Sequence, residues 1–358
     1  MDYENPVQIK VEAAPTFTLA ALNKGLFVTD EGLTEQYISD KKMKVQKKTG
    51  LTVNVLTCST SAEVAAAFGN NSKIFKCIES FLSQKDYPSR NPIIPDFFTI
   101  LSVKNASQTT KEDVLTGLNQ ALSNTFYGIT HTLADGILAQ GDLNPWLNEN
   151  RKIFFENVTT KTTAENIRSD RYVQIYNAVA EENKAAAYLA TVITKGAGSK
   201  VDMNILNGCS ADVSGGERQN LTKQNINFTE KQTSKEYVVV RTGIATDGTS
   251  IDETTAIDCI IYNLIDNMLI AMAEKGFKQD DRGYSELESV LSKVMGEMYQ
   301  LGLIAKEGAS PAFKIFPISQ TAAERQLKVI RVKILFRLAD WAKTIELTLS
   351  RTYGKVNE

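Results

Sequence analysis

Phe97-Phe-Thr-Ile-Leu-Ser-Val103 and Phe126-Tyr-Gly-Ile-Thr-His-Thr132, with Thr109-Thr-Lys-Glu112 between them, decide the fold class. The outer runs are short, rich in aromatic and β-branched residues, and read as strands. A threonine followed three residues later by glutamate is the reciprocal cap that opens a helix. Strand, capped helix, strand is a βαβ unit, and the pattern recurs. Leu51 to Leu56, Lys152 to Val158 and Tyr172 to Tyr176 are further candidate strands; Thr60 with Glu63 and Thr162 with Glu165 are further caps. Parallel strands need such crossovers, so residues 23–206 are expected to form an α/β sandwich-like domain on a largely parallel sheet. Ala-rich Glu181 to Thr194 closes it as a helix, stopped at Gly196-Ala-Gly198.

Downstream the pattern changes. Residues 207–235 are polar, punctuated by Ser214-Gly-Gly216, and are expected to be a loop or hinge. Residues 236–340 read as a C-terminal α+β domain: a strand over Glu236 to Ile244, a turn at Asp247-Gly248, then two helices capped by Ser250 with Glu253 and by Ser285 with Glu288. In the second helix Leu287, Val290, Leu291, Val294, Met298 and Leu301 share one face. Ala256 to Ala273 is apolar enough to suggest a membrane span. Asp258, Asn263, Asp266 and Asn267 recur there near helical spacing, which reads instead as a buried amphipathic helix. Ile330, Val332, Ile334, Phe336 and Leu338 alternate with Arg331, Lys333 and Arg337 as a strand. Both ends of the chain carry extended β-strand arms. Val7, Ile9 and Val11 alternate with polar residues in 1–22, and Ile345, Leu347 and Leu349 do so in 341–358, after Trp341. Such strands need a sheet to join, because their main-chain groups are otherwise paired only with water.

Composition narrows the chemistry. The chain has 358 residues, with 40 Lys+Arg against 42 Asp+Glu, a balance that argues against a protein built to grip nucleic acid. The one histidine, His131, excludes HExxH sites and multi-histidine metal cages within a single chain. Cys58, Cys77, Cys209 and Cys259 are far apart and form no CxxC, so they read as buried reduced thiols. The start, MDYENPVQIK, has acidic residues and a proline where a signal peptide needs a basic flank and an apolar run, so folding in the cytoplasm is expected.

No candidate site converges. Gly196-Ala-Gly-Ser-Lys200 follows a helix rather than a strand, which makes it a helix stop and not a phosphate loop. No G-x-G-x-x-G follows a strand, and no G-x-S-x-G supplies a nucleophile for His131 to activate. Asp280-Asp281-Arg282 reads as a solvated turn, and Lys41, Lys42, Lys44, Lys47 and Lys48 as a solvated helix face without aromatic interleaving. No catalytic residue, metal site or cofactor is expected. The two terminal strands remain, natural donors for β-augmentation of a neighbour's sheet.

Asn263-Leu-Ile-Asp-Asn-Met-Leu-Ile270 runs into Lys275-Gly-Phe-Lys-Gln-Asp-Asp-Arg-Gly283, and the second helix leaves through Leu301-Gly-Leu-Ile304. With Phe126-Tyr-Gly-Ile129 and the Lys152-Ile-Phe-Phe155 strand, this order resembles the contractile tail sheath proteins of phages and R-type bacteriocins, in a short form without decorating outer domains. The resemblance implies a non-enzymatic, mechanical subunit. Such subunits stack as hexameric rings around a tail tube, exchange strands between neighbours, and contract to drive the tube through a cell envelope. It implies as partners further copies of the chain, the tube protein, and baseplate and tail terminator proteins, with no nucleic acid and no membrane insertion. The location implied is a virion tail or bacteriocin particle, assembled in the bacterial host cytoplasm. It assigns Val7, Ile9, Val11, Ile345, Leu347 and Leu349 to the subunit-linking arms, and makes Lys275, Lys278, Asp280, Asp281 and Arg282 candidates for facing the tube. Two alternatives stay open: a flavodoxin-like α/β small-ligand binder or enzyme, and a different assembly protein of a tail or secretion apparatus.

Overall fold

The computed structural model describes residues 22–41, 47–48, 50–85, 97–162, 167–211, 213–232, 237–318 and 330–339. The chain begins its main sheet in the middle. Strand β1 (Gly25–Thr29) leads to α1 (Glu35–Asp40), the strands β2 (Lys47–Lys48) and β3 (Leu51–Cys58), helices α2 (Ser61–Phe68) and α3 (Lys73–Leu82), and β4 (Phe98–Asn105). Then follow α4 (Lys111–Ala121), β5 (Gly128–His131), α5 (Asn144–Asn150), β6 (Ile153–Val158), β7 (Tyr172–Tyr176) and α6 (Lys184–Lys195). The sheet order is β2-β3-β4-β1-β5-β6-β7. Strands β4, β1, β5, β6 and β7 run parallel, whereas β3 runs against β4 and β2 against β3. The α/β expectation therefore holds, with an antiparallel edge added.

Period-two alternation explains why this sheet is buried on both faces. Phe27, Ile100, Phe155 and Val173 point into a core closed by α2, α3 and α6. Leu26, Val28, Leu101 and Phe154 point into a second core under α4 and α5. Phe27 meets Phe81 and Phe98 edge-on, with ring centroids 4.9 and 5.8 Å away. Helix α6 is apolar almost all round, and every residue from Lys184 to Ile193 is buried. Gly196 ends it at φ 90°, as the sequence indicates.

Beyond α6 come α7 (Gly215–Lys223), the antiparallel pair β8 (Phe228–Gln232) and β9 (Tyr237–Arg241), and a long hairpin of α8 (Ile251–Glu274) and α9 (Asp281–Gln300). The chain closes with β10 (Lys306–Glu307) paired to β11 (Ser310–Pro311), and β12 (Phe313–Pro317) paired antiparallel to β13 (Val332–Phe336). Helices α8 and α9 share a third core of Ala256, Ile260, Leu264, Leu291, Val294 and Met298, with one face of the β12–β13 ribbon packed against it.

Several local expectations are corrected. The stretch 207–235 is not all loop. Ser214 and Glu217 form a capping box for α7, and Phe228–Gln232 is a strand. Helix α4 is capped one residue later than expected, by Thr110 with Asp113, because the Thr109 hydroxyl is occupied by the Asn105 amide at 3.2 Å. Helix α9 is capped by Asp280, whose carboxylate accepts from the Gly283 amide at 2.9 Å, so Ser285 lies inside the helix. Ser250 sits at the N-cap of α8, but its hydroxyl turns to Asp252. Leu301 is 66% exposed at the end of α9, and Met295 takes the buried place instead. Glu165 of the third expected cap, the two terminal arms, Lys42 and Lys44 lie outside the described residues, while Lys47 and Lys48 of the basic cluster form strand β2 and not a helix face.

Candidate functional site

Helix α8 has two working faces. Ala256, Ile260 and Leu264 meet α9, while Ile251, Thr254, Thr255, Asp258 and Tyr262, recurring every three or four residues, meet the α/β body. The body face is polar and hydrogen-bonded. The Thr254 hydroxyl donates to the Asp170 carbonyl at 3.1 Å, and Thr255 accepts from the Gly198 amide at 3.1 Å. The Tyr262 hydroxyl donates to the Arg151 carbonyl at 3.0 Å.

Asp258, fully buried, is the centre of this junction. Arg171, just before β7, donates to both of its oxygens at 2.6 and 2.8 Å; Tyr127, just before β5, donates at 2.9 Å. Arg151, between α5 and β6, stands 3.4 Å away. The carboxylate thus ties α8 across the amino ends of three parallel strands. Burial alone would lower the Arg171 pKa, but the hydrogen bonds and charge of Asp258 raise it overall. The Tyr127 and Tyr262 hydroxyls are pushed up by burial first and by the Asp258 charge next. Beside them Lys152 donates to the Phe126 carbonyl at 2.6 Å, and burial lowers its pKa to about 8. With both oxygens taken by fixed donors, Asp258 holds two elements of the fold together.

The carboxyl ends of the parallel strands, where doubly wound folds bind ligands, are tied up by the chain itself. The Glu31 carboxylate accepts from the Lys73 and Ile74 amides at the start of α3, and Asp30 accepts from the Ala134 amide. His131 ends β5. Its Nδ1 accepts from the Leu133 amide at 3.2 Å, its Nε2 stands 3.7 Å from Glu156, and its ring stacks on Phe154. Among the described residues, no group of three or more His, Cys, Asp or Glu is placed to hold a metal ion. Cys58, Cys77 and Cys259 are reduced and buried, and Cys209 is reduced and partly exposed.

Lys275 and Lys278 are exposed on the turn joining α8 to α9, whereas Asp280 is the N-cap of α9 and Asp281 and Arg282 are exposed in its first turn, so the acidic pair opens a helix and does not form a free turn. Val7, Ile9, Val11, Ile345, Leu347 and Leu349 lie outside the described residues. The Asp258 junction was missed as a site in the sequence, where Asp258 is only a polar interruption of an apolar helix. Its partners lie 87 to 131 residues away, and no short-range pattern marks them.

By composition α8 is the one helix among the described residues long and apolar enough to cross a membrane, yet its first half is buried in the protein. No protein-family profile matches the sequence. No curated protein matches it either. Solved structures do match in fold. The chain superposes on one from the anti-feeding prophage (AFP) baseplate with a TM-score of 0.68 at 13% identity, covering 98% of this chain and 100% of that one. On the AFP helical sheath in its contracted state the TM-score is 0.66 at 12% identity, with the same coverage. The PVC sheath complex of an extracellular contractile injection system, also contracted, gives 0.58 at 12% identity and 97% coverage of each chain. The α/β body, the α8–α9 hairpin and the closing ribbon together form the fold of contractile tail sheath structures.

Proposed function

We infer that this chain is the subunit of a contractile sheath, polymerising as stacked hexameric rings around a tail tube and shortening to drive that tube through a cell envelope. The observation that carries this reading is the end-to-end fold match to sheath structures in the contracted state. The form of the molecule supports it. The β12–β13 ribbon has two strands among the described residues, and on the face opposite Phe313, Ile315, Val332 and Ile334 it presents Phe316 and Leu335, 41 and 48% exposed. A two-stranded ribbon is marginal alone and gains from added strands. Residues 1–22 and 341–358, carrying Val7, Ile9, Val11, Ile345, Leu347 and Leu349, are the strands that neighbouring copies contribute. The exposed α8–α9 turn, with Lys275, Lys278, Asp280, Asp281 and Arg282, faces the tube. Its polar character suits a contact that must be released on contraction. The baseplate and a terminator protein cap the two ends of the polymer, in a phage tail or bacteriocin particle assembled in the bacterial cytoplasm. The working surfaces are interfaces and the chain is no enzyme, in keeping with strand ends sealed by Glu31 and Asp30.

Sedimentation velocity over a range of protein concentrations tests this. Fast-sedimenting polymer should grow with concentration in the full chain and vanish when residues 1–14 are removed. A single monomer boundary at every concentration in both proteins would overturn the reading.

A further inference from the structure

Helix α8 belongs to two cores at once: Ile251 and Tyr262 are counted in the core of the body, Ala256, Ile260 and Leu264 in that of the α8–α9 hairpin. The bonds to the body span Thr254 to Tyr262. The helix then runs on for twelve residues to Glu274, about 18 Å at 1.5 Å per residue, and Ile270 and Met272 along it are half exposed. A long helical hairpin is therefore held at its base.

What holds that base is directional. An apolar joint is tolerant of small rotations, since burial depends on area and not on angle. The forked pairing of the Arg171 guanidinium with both Asp258 oxygens, crossed by the Tyr127 hydroxyl, fixes angle as well as distance. The pair stands at low dielectric, where a half-broken state leaves a buried charge uncompensated, so the joint is either made or released.

We propose that Arg171 and Asp258 form a latch that sets the orientation of the α8–α9 hairpin on the α/β body, and that loss of this ion pair releases the hairpin as a unit while the body stays folded. The body does not need the pair for its own core. The Phe27 and Leu26 cores on the two faces of the sheet are complete without α8 beyond Ile251 and Tyr262. The hairpin likewise keeps the core of Leu264, Leu291, Val294 and Met298.

Amide hydrogen exchange on the full-length chain tests this, with two variants. Asp258→Asn removes the charge and leaves Arg171 buried without its counter-ion. The double variant Arg171→Met with Asp258→Leu removes both charges and keeps the volume, so it remains informative if the single variant fails to fold. In both, amides of α8 from Thr254 to Tyr262 should exchange at least about tenfold faster than in the unaltered chain, with β1, β4 and β5 keeping their protection. Three results would overturn the latch. These are loss of protection spread evenly over β1, β4 and β5; unchanged protection of α8 in the single variant; or full native protection of α8 in the apolar double variant, which would mean that packing alone sets the docking.

Discussion

The main sheet and the α8–α9 hairpin are both well packed, but they are secured in different ways. In the sheet Phe27 and Leu26, neighbours in sequence, serve two separate cores, so each residue of β1 is buried whichever way it points. In the hairpin one helix divides its circumference between an apolar seam to α9 and a polar seam to the body. The first arrangement makes a body that resists deformation from either side. The second makes a member whose attachment is specific, narrow and separable. Under the proposed sheath function, a subunit that keeps its links while its globular part is reoriented needs one of each.

The contrast is broken most severely by cutting into the sheet. Phe27→Ala leaves a cavity between Phe81 and Phe98 and should cost about 3–5 kcal/mol in chemical denaturation, lowering the stability of the whole chain in one transition. Gly283→Ala acts on the hairpin alone. An added Cβ would clash with the Lys278 carbonyl oxygen, so the α8–α9 turn must open, at about 1–3 kcal/mol, seen as faster amide exchange across 275–285.

A smaller effect sharpens the comparison at the joint. Burial holds the Lys152 pKa at about 8, below its ordinary 10.5, so between those values the unfolded chain keeps a proton that the folded chain has released. Stability contributed by this group is therefore lowest below about pH 8 and rises as pH climbs through that window. Lys152→Met should lack that rise when thermal unfolding is compared at about pH 8 and about pH 10. Least of all, Ile270→Ser with Met272→Ser, on the half-exposed far part of α8, should leave the stability of the isolated chain within about 0.5 kcal/mol. A larger loss would show that this part of the hairpin is packed and not free.

Much of this architecture was legible from residue pattern. The pattern bounds Tyr172–Tyr176 to the residue; the runs opened by Phe126 and Lys152 contain the observed strands, and those opened by Leu51 and Phe97 stop two residues short of the strand ends at Cys58 and Asn105. Strand β1 was not read, although it is the central strand. Gly25-Leu-Phe-Val-Thr29 is only five residues long and buried on both faces, so it lacks the alternation that marks a half-buried strand. Helix α7 was hidden because it buries a single residue, Leu221, and its signal is the Ser214–Glu217 cap rather than an apolar stripe. Thr109 and Thr110 are adjacent candidates for one cap, and only the Asn105 contact decides between them. The Asp258 junction depends on Tyr127, Arg151 and Arg171 converging from three separate loops, a tertiary fact that periodicity does not carry.

The proposed sheath function makes this fold the wall of a hollow contractile polymer. Negative-stain electron microscopy of the assembled full-length chain tests it directly. Tubes of stacked rings with sixfold end views and an open lumen are expected, absent from chain lacking residues 1–14. Solid filaments, irregular aggregates or uniform single particles from the full chain would contradict it.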